Sequence, residues 1–174
     1  MSFDIDNQRA IVDRRAIADR LASIRSGKNA AGESLEILRG ALDHGRAEIA
    51  KRLAQEPGNG RAAAQATAFL HDQLVRLTYD FVCNSLAASP AGGIALVGLG
   101  GTGRGEMAPF SDLDLMFLTA KPPTAEQEQI AEAMLHLLWD LKLKVGHSIR
   151  STPPCAASAR RWLPAPQQSS SPPS

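Results

Sequence analysis

The sequence predicts an α+β protein, a mixed sheet with helices preceded by a helical N-terminal extension. Three observations carry this. Apolar residues recur at helical spacing over the first half; Ile94-Ala95-Leu96-Val97 is a short apolar run closed by glycines; and the pattern then runs strand, turn, strand, helix, strand. The chain has 174 residues, enough for one domain, or one and a fragment. Hydrophobic residues make up 44% and charged residues 21%, which excludes wholesale disorder, a collagen-like repeat and a disulfide-dense miniprotein.

The extension, residues 1–90, is expected to hold three helices. Ile17, Leu21 and Ile24 share one face, Leu35, Leu38 and Leu42 the next, and Leu70, Leu74, Leu77 and Phe81 the third. Breakers separate them at Ser26-Gly27-Lys28-Asn29, Glu56-Pro57-Gly58-Asn59-Gly60 and Ser89-Pro90-Ala91-Gly92-Gly93. The core, residues 91–151, opens with the strand at 94–97, which runs into the Gly-rich turn Gly98-Leu99-Gly100-Gly101. A second strand is expected at 112–118. Thr124 with Gln127 three residues on is a capping-box pattern, and it opens a helix with Ile130, Met134, Leu137, Leu138 and Leu141 on one face. Trp139 is expected in its core, and residues 142–149 read as a third strand. From Ser151 the last twenty-four residues carry six of the eleven prolines, six serines and no acidic residue. They hold too little apolar surface to fold, so the tail, residues 152–174, is expected to be disordered.

Nineteen Lys and Arg against eighteen Asp and Glu leave a net charge of +1. No chain-wide field attracts nucleic acid or an anionic membrane, and neither is expected as a partner. Cys83 and Cys155 match no metal-ligand spacing and point to a reducing compartment, with the cytoplasm as the expected location. The start, Met1-Ser2-Phe3-Asp4-Ile5-Asp6, is acidic where a secretory signal is basic, and no uninterrupted apolar run reaches the ~18 residues of a membrane span.

The functional signal lies between Gly98 and Leu115. Gly98-Leu99-Gly100-Gly101-Thr102-Gly103 spells G-x-G-x-x-G, but a dinucleotide fingerprint opens a long crossover helix, and here Pro109 and a new strand arrive within about ten residues. No Gly-Lys-Ser or Gly-Lys-Thr follows, so a phosphate-loop NTPase is excluded. What remains is a Gly-Gly turn, a ten-residue gap and Asp112-Leu113-Asp114 at the head of a hydrophobic strand. Alternation places both aspartates on one face and Leu113, Leu115 and Phe117 on the other. Two converging carboxylates repel unless a cation lies between them, and their hard oxygens suit Mg²⁺ held jointly with substrate phosphates. A turn free of Cβ atoms points backbone N–H groups at phosphate oxygens, with Ser111 and Arg104 as further donors. Together these describe a triphosphate with its metal.

Gly100-Gly101 followed by Asp112-Leu113-Asp114 resembles the signature of the polymerase-β-like nucleotidyltransferase superfamily, in which Gly-Gly or Gly-Ser precedes Asp-x-Asp by about this interval. The longer string resembles the bacterial PII-protein uridylyltransferases, bifunctional enzymes of nitrogen regulation that add and remove uridylyl groups. It comprises Gly103-Arg104-Gly105-Glu106, Ala108-Pro109, Ser111-Asp112, Leu138-Trp139-Asp140-Leu141 and Val145-Gly146-His147-Ser148-Ile149-Arg150-Ser151. In the related glutamine-synthetase adenylyltransferases the third strand carries Asp before an Arg-rich run; Gly146-His147-Ser148 stands there instead. The resemblance is close over residues 95–151 and agrees only in kind over the N-terminal helices. It implies a partial polymerase-β-like core in which Asp112 and Asp114 hold Mg²⁺ against UTP, while Gly100, Gly101, Arg104 and Ser111 contact the nucleotide. A tyrosyl hydroxyl of PII attacks the α-phosphorus and pyrophosphate leaves.

The chain also departs from the pattern. After Asp140 it has no Asp or Glu to serve as the superfamily's third carboxylate, and the family's HD hydrolase and ACT domains have no counterpart. The expectation is a truncated transferase with weak or absent activity. The alternatives are a non-catalytic module that binds nucleotide or PII, and a nucleotidyltransferase with another acceptor. If strand order follows the family, His147 and Arg150 lie near the site, although a lone His there is more often a hydrogen-bonded core residue; Lys142 and Lys144 either steer phosphates or decorate a helix end; and Glu106 either orients Arg104 or is turn surface.

Overall fold

The computed structural model describes residues 3–24, 29–86 and 93–152. In chain order it contains α1 (Gln8–Ile11), α2 (Arg14–Ala22), α3 (Ala30–Gln55), α4 (Gly60–Ser85), β1 (Ile94–Gly98), α5 (Gly100–Arg104), β2 (Leu113–Thr119), α6 (Ala125–Asp140) and β3 (Val145–Ser151). No helix among the described residues is long and apolar enough to cross a membrane. The expected breakers at 26–28 and 89–92, and the expected disorder at 153–174, lie outside the described residues.

The N-terminal half is helical, but its first expected helix is two. Val12 is extended, with φ −154° and ψ 118°, and buried, so the chain leaves helix there to bury an apolar side chain. Asp13 starts the helix again: its Oδ1 accepts the Ala16 N–H at 3.1 Å, satisfying one of the donors a helix start leaves open. The break between α3 and α4 falls where Pro57 and Gly58 require it. Asn59 Oδ1 accepts the Ala62 N–H at 3.3 Å and caps α4. Leu38, Leu42 and Ile49 of α3 are buried against α4, whose Leu70, Leu74 and Leu77 are at most 1% exposed. Burying each such side chain contributes about 1.5–3 kcal/mol.

The sheet has the order β1-β2-β3, with β1 antiparallel and β3 parallel to β2. The register sets Gly98 opposite Leu115 and Asp114 opposite Gly146. Central β2 alternates as the sequence requires: Leu113, Leu115 and Phe117 are buried while Asp114, Met116 and Leu118 are half-buried. Helix α6 supplies the crossover that a parallel pair needs. Its capping box is complete, with the Gln127 N–H donating to Thr124 Oγ1 at 3.3 Å and the Thr124 N–H to Gln127 Oε1 at 3.0 Å. Ile130, Met134 and Leu138 are buried along one side. Trp139 is not core: one residue round the helix from Leu138, it is 42% exposed and lies edge-on to the rings of His136 and His147.

The third strand starts later than periodicity suggests. Lys142 adopts φ +60°, its N–H donates to the Trp139 carbonyl at 2.8 Å, and the Leu143 N–H donates to the Leu138 carbonyl at 3.1 Å. This is a Schellman ending with lysine in the left-handed position and buried Leu143 against buried Leu138. Lys142 and Leu143 therefore close the end of α6 rather than open β3, which runs from Val145 to the buried Ser151.

Extension and sheet share one hydrophobic core. Helix α4 packs on α6, and the buried cluster runs without interruption from Ile11 through Leu74 to Phe117 and Leu138. The Met107 N–H donates to the Ala64 carbonyl of α4 at 3.1 Å, and Glu106 pairs with Arg61 of α4 at 3.1 Å rather than orienting Arg104.

Candidate functional site

At the end of β1 the Leu99 N–H donates to the Asp114 carbonyl at 2.9 Å, which fixes the chain's exit beside β2. Gly100 follows at φ +53°, a conformation that favours glycine. The Gly-rich segment expected as an open turn is instead the five-residue helix α5. Three of its five residues are glycine, the poorest non-proline helix former, so propensity does not explain it. Close packing does. A Cβ on Gly103 would lie 2.5 Å from the Gly98 carbonyl oxygen, so the missing side chain lets the chain coil back onto β1. Thr102 then ties the helix to β2: its Oγ1 accepts the Asp114 N–H at 3.2 Å and donates to Met107 Sδ at 3.7 Å.

Asp114 is consequently held at both backbone groups, and its carboxylate occupies a seat between two glycines. Oδ2 lies 2.9 Å from where a Cβ on Gly100 would stand, and Oδ1 lies 2.6 Å from the corresponding point on Gly146. A side chain at either glycine would fill space that the carboxylate now uses.

The other expected residues are spread around this seat. Asp112 is exposed and lies one residue ahead of β2, not on it as expected. Ser111 is exposed in a tight turn whose N–H donates to the Ala108 carbonyl at 3.1 Å. Arg104 is exposed at the last position of α5. Gly101 packs under the returning loop: its carbonyl accepts the Glu106 N–H at 3.1 Å, and a Cβ there would lie 2.8 Å from the Glu106 oxygen. The structure therefore brings Gly100 and Asp114 together, places Gly101 and Arg104 on the same short helix, and leaves Ser111 and Asp112 on the exposed approach to β2. His147 is opposite Leu115 in the register and meets Trp139 at 5.9 Å, while Arg150 is exposed two strand positions beyond Ser148.

Motif reading misses two residues. Thr102 looks like filler between glycines. Gly146 does carry a signal, because glycine inside a strand marks close approach by another group. A third feature, the dipeptide His71-Asp72, belongs to the fold: His71 is buried in α4, and Asp72 accepts from Arg76 Nε at 2.8 Å and Gln73 Nε2 at 2.9 Å.

Among the described residues no group of three or more His, Cys, Asp or Glu is placed to hold a metal ion. The donor set is two carboxylates, hard oxygen ligands of the kind that share a divalent cation with water and phosphate. The glycine-lined space around Asp114 fits that use. The first-turn N–H groups of α5 have no carbonyl within their own helix and suit phosphate oxygens.

Comparison with known families places this fold among nucleotidyltransferases. The family described as "Putative nucleotidyltransferase DUF294" matches residues 45–163, more than half of the chain, and the chain belongs to that family. It is also similar to proteins named bifunctional uridylyltransferase/uridylyl-removing enzyme. The one from Novosphingobium aromaticivorans is 51% identical over 153 residues, 84% of this chain and 17% of that protein. Those from Rhodospirillum rubrum and Erythrobacter litoralis are 39% and 41% identical, over 90% and 91% of this chain and 18% of each relative. The chain thus spans less than a fifth of the length of these relatives. No solved structure matches it.

Proposed function

We propose that this chain carries the nucleotide site of a uridylyltransferase that takes UTP with Mg²⁺ and transfers UMP to a tyrosine of the PII nitrogen-regulatory protein. The observation that carries the reading is the Asp114 carboxylate seated against Gly100 at the start of α5, where a carboxylate and the open amides of a helix start adjoin. Asp112 and Asp114 are the residues that would hold Mg²⁺, which would supply neutralisation of the phosphate charge. Gly100 and Gly101 present the amides of α5 to the β- and γ-phosphates, with Ser111 and Arg104 as outer donors. The tyrosyl oxygen of PII forms the new bond to the α-phosphorus, the bond to the bridging oxygen breaks, and the tyrosyl proton passes to solvent. Catalysis of this kind is in-line positioning and charge neutralisation, with little covalent work for the protein.

Among the described residues no group of three or more His, Cys, Asp or Glu is placed to hold a metal ion, which favours a second reading, a module that binds nucleotide or PII without turnover. One experiment separates the two. The purified chain is incubated with Mg²⁺, PII and UTP labelled at the α-phosphate, beside a variant carrying Asp112→Asn and Asp114→Asn. Slow transfer to PII that the double substitution abolishes is the expected result. Tight UTP binding with no transfer supports the module, transfer in the absence of PII points to another acceptor, and transfer that survives the double substitution refutes the metal assignment.

A further inference from the structure

We propose that Gly146 is a positioning residue: the side chain it lacks is what lets the Asp114 carboxylate lie across β3 in the orientation that receives the divalent cation. The inference rests on the metal–nucleotide reading of the site and adds to it a residue on a different strand. Gly146 stands opposite Asp114 in the parallel register. A glycine there needs a reason, since inside a strand it packs nothing and loses more conformational freedom than any other residue. Backbone conformation is not the reason, because Gly146 is absent from the positive-φ glycines, and alanine would be accepted without strain. Crowding by the sheet is not the reason either. A Cβ on Gly146 meets two heavy atoms within 4 Å, and both belong to Asp114: Oδ1 at 2.6 Å and Cγ at 3.7 Å. Among the described residues, and its chain neighbours apart, that carboxylate is what closes the position to a side chain.

Gly100 is the opposite wall, where a Cβ would lie 2.9 Å from Oδ2, but its φ of +53° strains any substitution, so Gly146 is the clean probe. The Gly146→Ala Cβ presses on a side chain that can rotate away, which predicts a displaced carboxylate in an intact fold. Residues that orient a metal ligand typically change affinity by about 10–100-fold when replaced.

The test measures Mn²⁺ binding by electron paramagnetic resonance with UTP present, the Asp114 carboxyl ¹³C resonance by NMR, and thermal melting, for the unaltered chain, Gly146→Ala and Gly40→Ala. A Cβ on Gly40 meets nothing within 4 Å. Expected are a 10–100-fold loss of Mn²⁺ affinity and a shifted Asp114 resonance in Gly146→Ala, both absent in Gly40→Ala, with melting unchanged or raised. An unshifted resonance, or unchanged affinity in Gly146→Ala, overturns the proposal. If the unaltered chain binds neither Mn²⁺ nor UTP, the metal–nucleotide reading fails, and the orientation claimed here falls with it even where the resonance moves. If Gly146→Ala does not fold, Gly146→Ala with Asp114→Ala decides: recovery of the fold supports the seat, and failure to recover overturns it.

Discussion

Thr102 shows how a single hydroxyl couples the short helix α5 to β2. Its Oγ1 is the acceptor for the Asp114 N–H on the partly buried side of β2. Thr102→Val keeps the shape and leaves that donor without its acceptor, so urea unfolding should show a loss of about 1–3 kcal/mol, and Thr102→Ser should recover most of it. A second residue-scale effect comes from His71, whose pKa falls from 6.5 to about 4, chiefly through burial and secondarily through the nearby Arg46 cation. The fold thus favours the neutral ring, and between those values the unfolded chain binds more protons. Stability from this group is complete above pH 6.5 and fades as pH drops toward 4. Unfolding free energies from urea titrations at pH 7 and pH 5 should differ by roughly 2 kcal/mol on its account, and His71→Leu should remove that share of the slope. Asp114 and Gly100 are legible as candidate site residues because the Gly-Gly and Asp-x-Asp spacing is local. Gly146 and Thr102 are not, because each acts on Asp114 through strand pairing or helix packing.

Two elements differ in what decides them. Helix α6 is legible from local chemistry: the Thr124 and Gln127 side chains reach only one turn, and the observed capping box is the one their spacing predicts. Its far end is not, because Lys142 holds a left-handed position that glycine usually takes, kept there by the two backbone hydrogen bonds of the Schellman ending and the burial of Leu143. Lys142→Gly should therefore raise stability by about 0.5–1 kcal/mol in denaturant unfolding, the relieved strain being partly offset by the greater freedom of glycine in the unfolded chain. Helix α5 is the converse of α6. Its sequence disfavours helix, and its coil exists because Gly103 closes on the Gly98 carbonyl and Thr102 binds β2. A glycine-rich stretch reads as a turn wherever the surface that packs against it is unknown.

At the scale of the molecule, α4 is the element on which both halves depend. It packs on α3 and on α6, and its residue Ala64 accepts the Met107 N–H of the loop leading to β2. The helices and the sheet should unfold together: far-ultraviolet circular dichroism and the fluorescence of Trp139, half-exposed on α6, should report one coincident transition. Leu74→Ala, at a fully buried position of α4, should lower that shared stability by about 2–5 kcal/mol without separating the two signals. Periodicity, caps and breakers, all effects within a few residues, announced the helices, the alternating strand and the acidic pair beside a glycine turn. Which strands are neighbours, why Gly146 lies under Asp114, why α5 coils and how the extension joins the sheet depend on contacts between residues distant along the chain. Those contacts form only when the apolar faces of α4, α6 and β2 are buried in one core, and no local pattern encodes which faces will meet.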